Sequence, residues 1–199
     1  MRRARIVAVV LTIGLFSTAC TFVYNVPTTP VALPATDRVP LAVALRLDPE
    51  LCNASWERRV AGGDRYILPI GSPLCLNSEA LARAVFVDVT ILRDPHTAPA
   101  DNVGGILIPR LAALERDRPM TIFGTQTTSI LFSWTLNDRQ GNPVWVTTIS
   151  GEGKGSMGLP GSKDGGREQV DMVLNEVFQK SFKEMIGSRA IREFANTLK

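Results

Sequence analysis

The sequence predicts an α+β or mixed α/β domain: a single small sheet that includes one β-hairpin over about 127–150, covering helices and a long C-terminal helix. Three observations predict it. Val43, Leu45 and Leu47 alternate with Ala44 and Arg46, the period of a half-buried strand. Ile130, Phe132, Trp134 and Leu136 alternate in the same way before Asn137-Asp138-Arg139-Gln140-Gly141, and Pro143 to Ser150 returns through Val144, Trp145, Val146 and Ile149. Between 167 and 186, apolar residues stand at 170, 173, 174, 177, 178, 182, 185 and 186, the spacing of one helix face.

The chain has 199 residues, 45% hydrophobic and 21% charged, enough for one globular core and outside the range of collagen-like or disordered chains. Its formal charge of +3 comes from the first five residues, where Arg2, Arg3 and Arg5 lie; removing them leaves 19 Lys+Arg against 19 Asp+Glu. The part that folds is neutral, so charge gives no argument for nucleic-acid binding.

Residues 1–20 begin with those arginines, continue through an apolar run from Ile6 to Phe16, and end in Ser17, Thr18, Ala19 and Cys20. This is the anatomy of a secretory signal peptide over 1–19. The apolar run makes a helix of roughly 16 Å, well short of the ~20 residues that span a bilayer core. The ending Ala19-Cys20 resembles the lipobox of bacterial lipoproteins, with Ser17 where that family usually has Leu. The resemblance implies cleavage before Cys20, a diacylglycerol on its sulfur and acylation of the new amine; the other reading, an ordinary signal peptide cut near Ala19, would leave Cys20 as a bare thiol, a liability in an oxidising compartment. Several acyl chains make a lasting anchor where one gives only reversible binding. The family's sorting rule retains Asp after the Cys in the inner membrane; Thr21 here implies the periplasmic face of the outer membrane.

Residues 20–40 hold Pro27, Pro30, Pro34 and Pro40, a density that favours extended polyproline backbone and reads as a tether lifting the body off the membrane by up to about 60 Å. Phe22, Val23 and Tyr24 have two readings, at the lipid interface or packed on the domain. The body occupies 41–199. Arg65 to Gly71 reads as a short strand with Pro69 at its end or edge. Asn77 or Ser78 is placed to cap a helix whose stripe is Leu81, Ala82, Val85 and Phe86. Phe86 to Leu92 follows as a strand, Asp94 to Gly105 as a surface loop, and Ile106 to Leu114 as either strand or short helix. Glycines from Gly151 to Gly166 predict a mobile exit from the hairpin. Gly187 is a stop for the long helix, and Ser188 a cap for a final one carrying Ile191, Phe194 and Leu198.

Candidate chemistry is sparse. An exported compartment permits a disulfide between Cys52 and Cys75, closing a loop of about 24 residues. A straight hairpin over 41–71 would hold them apart; a break at Ala61-Gly62-Gly63-Asp64 would bring them together. Two Cys and the sole His, His96, do not complete a zinc site, and no metal or cofactor is expected. His96 has no nucleophile-elbow pattern beside it. Gly151-Glu152-Gly153-Lys154-Gly155-Ser156 departs from a P-loop, because Gly155 follows Lys154 where Ser or Thr is required. Asp88, Asp94 and Asp101 fit no calcium or two-carboxylate spacing. Trp134 and Trp145 are placed for cross-strand packing. The exposed irregular segments supply the expected partner surface, Asp94, His96, Asp101, Lys154 and Lys163.

The stretches VPLAVALRL (39–47), ILPIGSPL with the following helix, FVDVTIL (86–92) and FSWTLNDRQGNPVWVTTISGEG (132–153), behind a lipidated Cys, resemble bacterial lipoproteins with a TolB amino-terminal-like domain. That broad group includes curli-secretion lipoproteins and activators of penicillin-binding proteins. The resemblance implies a non-enzymatic accessory part of envelope assembly or transport, with an envelope protein as partner. Homo-oligomerisation is left open. Two other readings stand beside it: an exported hydrolase of cell wall or lipid, which needs titratable groups converging on a pocket, and a lipid carrier, which needs a deep apolar cavity.

Overall fold

The computed structural model describes residues 20–59, 63–94, 96–117, 125–156 and 167–198. Eight strands and four helices follow one another among these residues. They are β1 (Thr21–Val23), β2 (Val39–Arg46), α1 (Pro49–Cys52), β3 (Trp56–Arg59), β4 (Arg65–Leu68), α2 (Gly71–Val85), β5 (Phe86–Leu92), β6 (Gly105–Asp117), β7 (Thr125–Asn137), β8 (Pro143–Ser156), α3 (Arg167–Gly187) and α4 (Arg189–Thr197).

The strands form two sheets, which corrects the single small sheet expected from the sequence. The larger has the order β5-β2-β6-β7-β8, and the smaller β1-β4-β3. β2 is parallel to both β5 and β6, while β6, β7 and β8 form an antiparallel meander. The second sheet left little trace in the sequence for two reasons. β1 has three residues and pairs in parallel with a strand more than forty residues on, and Glu57-Arg58-Arg59 of β3 has no apolar alternation to reveal it.

Helices cover one face of the larger sheet. Val43, Leu45, Leu107, Ile130, Phe132, Trp134 and Leu136 pack there with Leu74, Leu81 and Val85 of α2 and with Val173, Val177, Phe178 and Met185 of α3. Each is at most 1% exposed, so the alternation and the helix stripe report this one layer boundary. Complete burial of side chains of this size stabilises by about 1.5–3 kcal/mol each before entropy is counted. On the opposite face, a small cluster of Ala44, Leu92 and Val103 is closed by the loop after β5, and Leu131 and Val146 remain exposed.

The hairpin is longer than its periodicity suggested. Its turn is set by Asp138, whose carboxylate accepts from the main-chain N–H groups of Gln140 and Asn142 and from Asn142 Nδ2. The Asn142 side-chain amide, with these main-chain donors, holds the Asp138 carboxyl below its ordinary range. Gly141 turns the chain at φ +90°, where a side chain would be strained. β6, read from the sequence as strand or helix, is a thirteen-residue strand with a register shift between Leu111 and Ala113.

Gly151, Gly153 and Gly155 correct a further expectation. They are not part of a mobile exit; they lie in β8 at every second position, on the face turned to α3. A Cβ at 153 would run into the carbonyl oxygen of Gln169, and one at 151 into Val177 Cγ2 at 2.5 Å. The glycines let the helix backbone sit directly on the strand. Residues 157–166, including Lys163, lie outside the described residues.

α2 begins at Gly71, not at Asn77 or Ser78, so those residues sit within the helix and are buried. Asn77 has a different task. Its Oδ1 accepts from the main-chain N–H of Val31 at 2.7 Å, and its Nδ2 donates to the Pro73 carbonyl. Gln179 of α3 donates to the Ala32 carbonyl at 2.6 Å. Residues 24–33 therefore run across the helical layer, with Tyr24, Val26, Val31 and Leu33 packed on the core. The reach of about 60 Å expected of 20–40 as a fully extended polyproline chain is not what these residues adopt.

Candidate functional site

The site begins at Cys20, which is exposed. Its carbonyl oxygen accepts from the main-chain N–H of Arg65 at 2.8 Å, and its own nitrogen donates to Asp64 Oδ1 at 3.0 Å. Thr21, Phe22 and Val23 then pair with Arg65, Tyr66 and Ile67, and the N–H of Tyr24 closes the ladder on the Ile67 carbonyl. Of the two readings of Phe22 and Tyr24, packing on the domain is the one adopted. Phe22 stacks on Tyr66 with ring centroids 5.1 Å apart, and Tyr24 lies 6.2 Å from the same ring.

Arg116, near the end of β6, ties this sheet to the larger one. Its guanidinium sits 4.1 Å over the Tyr24 ring and 5.8 Å from that of Trp56, and donates to Gln126 Oε1 at 3.0 Å. A largely buried guanidinium over an aromatic face gains more than an exposed one, up to about 2 kcal/mol. Burial falls away from this contact. Leu68 at the base of β4 is fully buried, whereas Glu57, Arg58 and Arg59 on β3 are exposed. Cys20 thus stands at the outward tip of the small sheet.

Cys52 and Cys75 are joined by a disulfide with a Cα–Cα distance of 5.4 Å. The geometry expected of a straight hairpin does not arise, because β2 ends at Arg46 and α1 turns the chain. Gly71 lets the start of α2 approach the end of α1: a Cβ there would meet Ala54 N and Cys52 O. Of the break proposed at 61–64, residues 61 and 62 lie outside the described residues.

Of the residues expected at a partner surface, Asp94, His96 and Asp101 share one loop, Lys154 stands apart from them on β8, and Lys163 lies outside the described residues. Asp94, His96 and Asp101 lie in the loop after β5, and Asp101 pairs at 3.1 Å with Arg139 in the β7–β8 turn. Lys154 sits toward the other end of β8, paired with Glu152 at 2.9 Å. The Asp94 carboxylate accepts from the main-chain N–H of His96, not from its ring; this is a turn contact, not a catalytic dyad. Among the described residues, no group of three or more His, Cys, Asp or Glu side chains is placed to hold a metal ion. No helix among them is long and apolar enough to cross a membrane.

Sequence reasoning missed a contact at the free edge of β8. Glu176 Oε2 accepts from the main-chain N–H of Glu152 at 2.7 Å. Lys180 donates to the Ser150 carbonyl at 3.0 Å and to Glu176 Oε1 at 2.6 Å. The ion pair occupies strand-edge groups that would otherwise invite another strand. The Glu152 N–H, with Lys180 second, holds the Glu176 carboxyl below its ordinary value. An open groove of about 500 Å³ runs beside it, lined by Glu115, Ser129, Leu131, Glu152, Glu176 and Lys180 among others. Its lining mixes carboxylates and hydroxyls with Ala113, Ile130 and Leu131, and it is an open groove, where a lipid carrier requires a deep apolar cavity. Only the helical spacing of Glu176 and Lys180 was visible in the sequence.

No protein-family model matches the chain, and no curated protein does. Solved structures resemble it, among them these three. Protein XCC0632 from Xanthomonas campestris, of the family DUF330, superposes with a TM-score of 0.50 at 12% identity, over 90% of this chain and 99% of that one. A minor lipoprotein from Acinetobacter baumannii gives 0.45 at 13% identity, over 77% of this chain and 96% of that one. Lipoprotein GNA1162 from Neisseria meningitidis gives 0.34 at 10% identity, over 58% and 84%. The first likeness is one of fold. None of the three is described as a TolB amino-terminal-like domain.

Proposed function

We propose that this chain is an envelope lipoprotein, acylated at Cys20 after removal of residues 1–19 and carried on the periplasmic face of the outer membrane. Its body acts as a non-catalytic accessory that binds a protein partner in envelope assembly or transport. The observation that carries the reading is the seat of Cys20. The residue that the leader pattern marks for acylation stands exposed at the outward tip of the small sheet, where acyl chains leave the body without burying any of it.

The same placement supports a polarity for the molecule. The end of the loop after β5, where Asp101 pairs with Arg139 of the β7–β8 turn, lies beside the start of β6, and the small sheet packs beside its end, where Arg116 reaches Tyr24 and Trp56. At about 3.3 Å per residue, β6 separates them by roughly 35 Å. The loop and the β7–β8 turn would then face away from the membrane, toward a partner. Replacing Cys20 tests the reading. Cys20→Ser is expected to leave a folded body that no longer fractionates with membranes, and unchanged fractionation would refute the anchor. Crosslinking in intact cells from the Asp94–Asp101 loop is expected to capture an envelope protein, and from the tip of the small sheet none.

A further inference from the structure

The seat of Cys20 fixes more than an attachment point. Resting on the reading that Cys20 carries the acyl chains, we propose that the end of β3 beside the start of β4 is a binding surface for anionic phospholipid headgroups, with Arg58 and Arg59 as its ligands.

A flexible spacer would let the body stand off the bilayer, but there is none between Cys20 and the sheet. Its carbonyl and nitrogen are bonded to Arg65 and Asp64, and the next three residues are in register with β4. Acyl chains leaving Cys20 therefore bring the end of β3 and the start of β4 to headgroup depth.

The charges at that depth suit phosphate. Arg59 stands directly opposite Arg65 in the β3–β4 ladder, and like charges across a strand pair repel unless something anionic lies between them. Glu57 serves Arg65, at 2.6 Å. The Asp64 carboxylate accepts from Cys20. Arg58 and Arg59 are exposed and join no ion pair among the described residues. Arg58 lies opposite Tyr66 on the aromatic face of the sheet, and Arg59 on the other, so the two guanidiniums flank the tip. A guanidinium presents a planar fork of donors that fits phosphate oxygens. Each such residue near an anionic leaflet favours association by roughly fivefold, and salt screens the effect.

The test uses the native full chain, extracted in detergent and returned to vesicles of phosphatidylcholine alone or mixed with phosphatidylglycerol. Phenylglyoxal modifies exposed guanidiniums, and mass spectrometry reads each site, with Arg189 of α4, distant in sequence and 89% exposed, as the internal control. Modification of Arg58 and Arg59 is expected to slow at least about threefold on the anionic vesicles and to recover in about 0.5 M salt, while Arg189 does not change. Equal rates on both vesicles would overturn the proposal. Flotation with neutral vesicles in high salt reads the acyl anchor separately. A chain that fails to float there has no anchor, and protection of the arginines on anionic vesicles alone would then uphold the surface without it. A chain that floats there without arginine protection keeps the anchor and loses the surface.

Discussion

The indole N–H of Trp134 donates to Ser181 Oγ at 2.9 Å, joining the middle of β7 to α3 through the fully buried core. Ser181 in turn donates to the Val177 carbonyl at 2.8 Å, so the hydroxyl is used in both directions. The Phe132 and Phe178 rings lie against the indole with centroids 5.2 and 6.3 Å away. One polar contact inside an aromatic cluster fixes the helix against the strand, because the indole has no other way to satisfy its donor without water.

Ser181→Ala is accordingly expected to destabilise the body by about 1–3 kcal/mol, the cost of a buried donor left without its acceptor. Trp134→Phe made together with Ser181→Ala should cost less than the two single changes summed, since no orphaned donor remains. Urea denaturation of the four chains measures the cycle; strict additivity would show that the bond contributes nothing.

Gly153→Ala is expected to destabilise by at least about 1–3 kcal/mol, the range for overpacking, because the new Cβ meets helix backbone. Gly187→Ala, where a Cβ meets nothing within 4 Å, should have a far smaller effect. Equal thermal shifts for the two would contradict the close seat of α3 on β8.

Opening the Cys52–Cys75 disulfide is expected to cost roughly 3 kcal/mol in the chain-entropy view. The paired change Cys52→Ala and Cys75→Ala should lower the urea midpoint, and reductant should then have no further effect. In the unaltered chain, reductant should produce a drop of similar size.

Glu176 gives a pH dependence of known sign. Its carboxyl is held below the ordinary value in the folded chain, first by the Glu152 N–H and then by Lys180. The stability it contributes is thus fully present above the unfolded-state value and is lost as pH falls through the folded one. Glu176→Gln should lower stability at neutral pH, and the gap from the unaltered chain should close in acid. A gap independent of pH would mean that the charge of Glu176 plays no part at the edge of β8.

How far the molecule could be read from its sequence depends on the range of each interaction. Periodicity carried what is local: the greasy face of β7, the stripe of α3 from Val170 to Met185, and Ser188, whose hydroxyl accepts from the Ile191 N–H as an N-cap. Periodicity reports which face is buried, but not which partner buries it. The pairing of Thr21–Val23 with Arg65–Ile67 and the hold of Asn77 on Val31 join segments more than forty residues apart. A three-residue strand has no period, and a buried Asn looks like a cap until its distant acceptor role is seen. The glycines of β8 mislead for the same reason: lacking a side chain favours a loose loop when nothing lies overhead and a tight seat when a helix does. What the sequence carried alone is local: the alternation along β7 and the apolar stripe of α3. Only the tertiary structure decided that Cys20 is bonded to the small sheet, because that depends on hydrogen bonds between chain segments that no local pattern connects.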